Sequence, residues 1–286
     1  MTIILQYQNA VTNIELSAPM FLTALIIGAV GFMLILRYQV KDSPIFIPGF
    51  VKLAHDYRVI LEEKFQYYQR LSPENKLKFE KRVQNFINSK TFIPRRFRKV
   101  TTEMKTLIAA SAVQLTFGFR ELNLPHFKRI LIYPDAYYSS IRKTYHKGEV
   151  NPAAQLIVFS WKNFIEGYSD NTDSSNLGLH EMAHALKLEN KIFNNEIGFL
   201  DPTLYKKWET LATQHVARLK TEDDPLFRRY ASTNEYEFFA VAVENFFERP
   251  FLFQTVHPEI YELLKALLNQ DPIKIQRLED EEASVI

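Results

Sequence analysis

His180-Glu181-Met182-Ala183-His184 sits inside a run, residues 177–189, whose composition suits a helix. On a helix, residues four apart differ by only about 40° in direction, so both imidazoles leave one face. They can then share one Zn²⁺ at about 2.0–2.1 Å. Glu181, one residue after the first His, reaches beside such an ion without ligating it, and there it can take a proton from a bound water whose pKa the metal lowers to about 7. Five residues alone are a weak signal. The uncharged flanks Asn176-Leu177-Gly178-Leu179 and Ala185-Leu186 strengthen it, because they fit a helix buried beneath a cleft.

A catalytic zinc wants three protein ligands and one open position, so a third ligand is expected downstream. Ser232 and Glu235 have capping-box spacing, and the helix predicted over 232–247 carries Tyr236, Phe239, Ala240, Val243 and Phe247 on one apolar stripe. Glu237 and Glu244 are seven apart and share another face. Carboxylates among such apolar neighbours need a partner, and a metal or a metal-bound His supplies one. Glu237 is therefore assigned as the third ligand. Glu244 reads either as support behind a ligand or as a plain surface charge.

Outside this constellation the chain of 286 residues is nearly half apolar, with a formal net charge of +2 and no cysteine. The charge balance gives no reason to expect a nucleic-acid partner, and the absence of thiols confines any metal site to His and carboxylate ligands. Residues 18–36 form an uninterrupted charge-free run, long enough at about 1.5 Å per residue to cross a hydrocarbon core of roughly 30 Å. They are expected to form a single transmembrane helix after a short N-terminal segment, 1–17. Arg37, Lys41, Lys52 and Arg58 follow the run, so the large domain is expected to face the cytoplasm, on the inner membrane if the protein is bacterial, with the N-terminus outside. Residues 37–50, with Pro44, Pro48 and Gly49, read as a linker, and 51–286 as the main domain with a short acidic tail at 279–286. The basic cluster Arg95, Arg96, Arg98 and Lys99 reads as a solvated helix face. In the main domain, helices are expected over 51–70, from Ser72-Pro73 to about Ser89, 104–119, from Asp201-Pro202 to about Lys220, and 257–270, with strands at 128–133 and 156–161. That count predicts an α+β domain, mostly helical with a small mixed sheet. His55, His126, His146, His215 and His257 have no partner at ligand spacing and read as surface or hydrogen-bonded residues.

His180 to His184, Tyr230, Glu237-Phe238-Phe239-Ala240-Val241 and Glu244-Asn245-Phe246-Phe247-Glu248-Arg249-Pro250 together resemble the Mlc titration factor A family of zinc-dependent peptidases. Leu107-Ile108-Ala109-Ala110, Ile130 to Pro134, Ser160-Trp161, Asn176-Leu177 and Gln270-Asp271-Pro272 extend the resemblance over roughly 71–277. It implies a zincin-like fold of the gluzincin type, related in its catalytic core to lethal-factor metalloproteases. It also implies the Glu at position 237 as third zinc ligand, Tyr230 as donor to the developing oxyanion, and a peptide or protein as substrate. Ile157, Val158, Phe159 and Ser160 are then similar to the edge strand on which zincins hold an extended peptide. Members commonly carry Asp where Lys187 stands here, which would pass any ligand-orienting role to Glu189 or Glu244. The resemblance also leaves an alternative: a membrane-tethered zinc protein that sequesters a cytoplasmic regulatory protein without catalysis. An intact Glu181 and Tyr230 favour chemistry, since a structural zinc needs neither a base nor an oxyanion donor.

Overall fold

A computed structural model of the chain describes residues 55–139, 143–169, 174–192 and 199–275. The expected span at 18–36, the linker and the acidic tail lie outside them. Among the described residues no helix is long and apolar enough to cross a membrane. The described residues belong to one compact unit.

Caps and prolines set most helix starts. After α1 (His55–Lys64) and the single turn α2 (Gln66–Gln69), Ser72 caps α3 (Pro73–Ser89) by accepting from the Asn75 N–H, with proline in the first turn. Strand β1 (Thr91–Pro94) follows, and the basic cluster 95–99 is an irregular loop, not the expected helix face. The positive φ of Arg96, 62°, turns the chain out of the strand there. Thr101 caps α4 (Thr102–Thr116), which is buried along nearly its whole length.

Such a helix ends inside the protein, so its last carbonyls need donors. Arg82 donates to the carbonyls of Thr116 and Phe117 at 2.7 and 2.8 Å, and Gln270 Nε2 to those of Gln114 and Leu115 at 3.1 and 3.0 Å. Gly118 follows directly. A Cβ there would overlap the carbonyl oxygens of Leu268 and Asn269, so only glycine lets these two chain segments touch.

The sheet is built from β1, β2 (Arg129–Tyr133), β5 (Gly148–Asn151) and β6 (Leu156–Ser160), in the order β1-β2-β6-β5. A separate hairpin, β3 (Tyr137–Ser139) with β4 (Thr144–His146), precedes β5. β1, β2 and β6 run parallel, with Ile130 opposite Ile157 and Ile132 opposite Phe159, and β5 is antiparallel to β6. The expected edge strand 157–160 is therefore interior, paired on both sides. Its near-continuous apolar run fits a strand covered on both faces. The edge beside it is β5, opposite β1 at the far side of the sheet, and its Gly-Glu-Val-Asn is too short and too polar to announce a strand.

Helices then complete the fold: α5 (Trp161–Ser169), which begins where a strand was expected to end, α6 (Leu177–Ile192), α7 (Pro202–Arg218), α8 (Glu235–Glu248), α9 (Pro250–Val256) and α10 (Pro258–Leu268), with a 3₁₀ turn, Arg229–Ser232, before α8. Asp201 caps α7 through the N–H groups of Thr203 and Leu204. α6 packs against α4 on one side and α8 on another, and all three belong to one continuous core with β2 and β6. The amphipathic stripe expected on α8 is replaced by burial all round from Phe238 to Phe247. The capping residue there is Asn234, whose Oδ1 accepts from the N–H groups of Tyr236 and Glu237; Ser232 lies in the 3₁₀ turn and makes no capping box. The molecule is mostly helical with a small mixed sheet, an α+β domain.

Candidate metal centre

Asn176 opens α6 by accepting from the Leu179 N–H at 2.9 Å, while its own amide donates to the Gly167 carbonyl and to Glu248. One turn on, His180 and His184 stack edge to face with ring centroids 4.7 Å apart and Nε2 atoms 3.1 Å apart. From α8, Glu237 Oε2 stands 3.1 Å from His180 Nε2 and 3.3 Å from His184 Nε2. One ligand atom from each of the three lies within 4.8 Å of the others. Two helices that meet side by side thus join residues 57 positions apart in the chain.

The donor set fits a divalent cation. His180 Nδ1 is 2.6 Å from Glu244 Oε1, so Nδ1 carries a proton toward that carboxylate, and whenever the ring is neutral Nε2 presents its lone pair beside Glu237. Three lone-pair atoms at such spacing repel one another unless a proton or a cation lies among them. With a proton in that place, burial opposes the charged ring, but the hydrogen bonds to Glu237 and Glu244 outweigh it and push the His180 pKa up to about 10. Burial also works against the Glu237 carboxylate, and the two imidazoles overcome it, holding Glu237 far below the usual carboxylate range. Imidazole nitrogen and carboxylate oxygen without thiolate suit a transition-metal dication such as zinc, iron, nickel or copper.

Two hollows border α6. The larger, about 670 Å³, is lined by residues such as Tyr67, Gln114, Tyr168 and Leu179 and includes none of His180, His184 and Glu237. The smaller, about 380 Å³, contains His180, Glu181, His184 and Glu237, and is walled by Tyr230, Asn234 and Tyr236 on one side and by Gly148, Glu149 and Val150 of β5 on another. Glu181 is buried at its floor. Burial raises its pKa; the charges of His180 and His184 pull it down, and Glu237 and Glu149 push it up. Tyr230 is 54% exposed, its ring 6.0 Å from that of His180.

His180, His184 and Glu237 thus converge in one cleft where they could hold a metal ion, and residues 50–268 match the family described as glucose-regulated metallo-peptidase M90. The chain belongs to that family. An uncharacterized protein of Synechocystis sp. (strain ATCC 27184 / PCC 6803 / Kazusa) is 27% identical over 236 residues, covering 77% of this chain and 86% of the relative.

Within this M90 domain, Glu244 is buried and its position behind His180 decides between the two readings open to it in the sequence. Glu189 is not available for that role, because it accepts from the His126 N–H at 2.9 Å. Lys187 is buried against α8, donating to the Glu235 carbonyl at 3.2 Å with its ammonium 4.3 Å from the Tyr236 ring centre. Desolvation lowers its pKa. Of the other histidines, His126 bonds the Pro152 carbonyl at 2.7 Å, His257 pairs with Asp224 at 3.0 Å, and His215 stacks on Phe238. The side chain of His55 lies outside the described residues. His146 departs from expectation: it lines the cleft, its Nε2 buried with no hydrogen-bond partner among the described residues.

Ile157, Val158, Phe159 and Ser160 do not line the cleft; Gly148, Glu149 and Val150 do. In the β5–β6 register Gly148 faces Phe159 and Val150 faces Ile157, while the Ser160 N–H donates to the Lys147 carbonyl at 2.7 Å. Antiparallel pairing alternates, so the main-chain groups of Gly148 and Val150 point away from β6 along the open edge. No spacing rule in the sequence could single these residues out, since their role depends on which strand ends the sheet.

Proposed function

We propose that this chain is a zinc-dependent peptidase held at a membrane by residues 18–36, its domain facing the cytoplasm. The observation that carries the catalytic reading is the convergence of His180, His184 and Glu237 beside a buried Glu181, in a cleft bordered by an open strand edge. When bound, zinc would supply Lewis-acid polarisation of the scissile carbonyl and a water of lowered pKa. Glu181 takes the proton of the attacking water and returns it to the leaving amine. Burial pushes its pKa up, the direction that suits a carboxylate which must take up a proton and give it back. Tyr230, at the rim, is the candidate donor to the oxyanion that develops on the carbonyl oxygen. An extended peptide lies along β5, its backbone bonding to the outward groups of Gly148 and Val150, which makes affinity largely independent of side chains.

The anchoring reading rests on the charge-free run at 18–36 and the cations that follow it. Extraction of membranes at alkaline pH tests it, and release of the full chain into the soluble fraction would refute it. For the chemistry, Glu181→Gln is expected to keep its zinc and lose turnover by roughly 10²–10⁴-fold, the usual contribution of general acid–base catalysis. Zinc content and peptide hydrolysis measured on the same preparation check this, and cleavage at the parent rate would refute the mechanism.

A further inference from the structure

Behind the metal centre, three chain segments meet on one side chain outside the ligand set. Arg228 Nη2 donates to Glu244 Oε2 at 2.7 Å and to the Ser174 carbonyl at 2.7 Å, and Nη1 donates to Ser175 Oγ at 3.2 Å. Glu244 Oε1 meanwhile accepts from His180 Nδ1 at 2.6 Å. A carboxylate held at only one oxygen can still swing about its last bond. Held at both, its plane is fixed, and with it the plane of the imidazole and the direction of Nε2. Glu244 has only 2% of its side chain exposed, so its charge also needs the guanidinium as compensation.

The other end of the fork reaches the entry to the ligand helix. Ser174 has a left-handed φ of 55°, and its hydroxyl donates to Asn245 Oδ1 at 2.8 Å, one residue along α8 from Glu244. Arg228 is also the residue that precedes and caps the 3₁₀ turn bearing Tyr230. One planar group therefore ties α8, the start of α6 and the Tyr230 turn together. Because 47% of its side chain is exposed, it is no filler of the core, and its removal should leave the packing intact.

We propose that Arg228 is a positioning residue of the metal centre, acting through Glu244 to aim His180 Nε2 and through Ser174 to fix the start of the ligand helix. This rests on the metallopeptidase reading and adds to it a residue that touches neither metal nor substrate. The full chain in detergent is titrated with zinc against a chelator, and the visible spectrum of its cobalt-substituted form is recorded. Arg228→Met is expected to bind zinc about 10–100-fold more weakly, the range typical of lost outer-shell partners, with an altered cobalt spectrum; the Glu244 charge left uncompensated also lowers its unfolding temperature, so both proteins are compared well below that temperature, where each is folded. Arg228→Lys should recover only part of the affinity, since an ammonium lacks the planar fork that serves Glu244 and Ser174 at once.

Parent-like affinity and spectrum in Arg228→Met overturn the proposal. If that variant fails to fold, Arg228→Lys decides, and its equality with the parent overturns it likewise. His184→Ala separates the two levels. Should it too retain full zinc affinity, the ligand assignment falls together with the role of Arg228. Loss of zinc in His184→Ala beside full retention in Arg228→Met removes the positioning role alone.

Discussion

Glu181 is a useful base only while its carboxylate points at the metal-facing side of the cleft, and its neighbour across the gap is a glycine. A Cβ on Gly148 would lie 2.6 Å from Glu181 Cδ and closer still to Oε1. The overlap falls on the end of a flexible side chain, so the strand need not move and the carboxylate must. Gly148→Ala is thus expected to retain zinc and the native unfolding temperature while kcat falls by about 10²-fold, the order of loss that follows a misplacement of about 1 Å. Steady-state kinetics beside metal analysis checks this, and an unchanged kcat would remove Gly148 from the account. At this scale much was legible. His180, Glu181 and His184 follow from helical spacing, and Glu237 from a carboxylate set among apolar neighbours. Gly148 and Arg228 were not, because each acts through a contact with a residue distant in the chain, Gly148 against Glu181 and Arg228 against Glu244.

The edge strand β5 and the cap of α8 are the elements on which the sequence and the structure differ most. Strand β6 has the apolar composition of a peptide-binding edge in name only, since pairing on both sides uses its main-chain groups. Val150 sits on the free edge with its N–H directed outward, so Val150→Pro removes a donor that no ladder bond needs. The variant should fold, keep its zinc and raise the KM for extended peptides by about tenfold, the effect of losing one backbone hydrogen bond to substrate. Short chromogenic substrates that do not reach β5 should be cleaved at near the parent rate. Equal loss on both substrate types would place the peptide elsewhere. On α8, Asn234 and not Ser232 caps the helix, because the 3₁₀ turn before it takes up the serine. Capping motifs read from spacing alone do not register such a turn, since a 3₁₀ segment shifts the helix start without changing composition.

At the scale of the whole molecule, the core encloses several charged groups, and one of them makes stability depend on pH in an unusual direction. Lys90 is buried, donates to the Leu124 carbonyl at 2.6 Å, and is pushed down to about 8 by desolvation, against a partial upward pull from Glu189. Its folded pKa lies below the unfolded value of about 10.4, so the unfolded chain binds more protons between the two. Stability from this group is therefore complete above about pH 10.4 and is lost as pH falls through 8, a difference on the order of 3 kcal/mol. Lys90→Met should lose that rise while being at least as stable at pH 7, where it no longer carries a desolvated charge. Urea unfolding between pH 7.5 and 10 tests it, and parallel slopes for the two proteins would contradict it. The sequence by itself determined the local matters: helix α6 with two imidazoles on one face, most helix starts, the α+β class and the type of metal ligand. These follow from backbone periodicity and residue chemistry within a few turns. Only the tertiary structure decided that β5 closes the sheet, that Gly148 makes room for Glu181, and that Arg228 and Glu244 stand behind His180. Such contacts depend on which segments a packed core brings together, and no local pattern of side chains encodes that choice on its own.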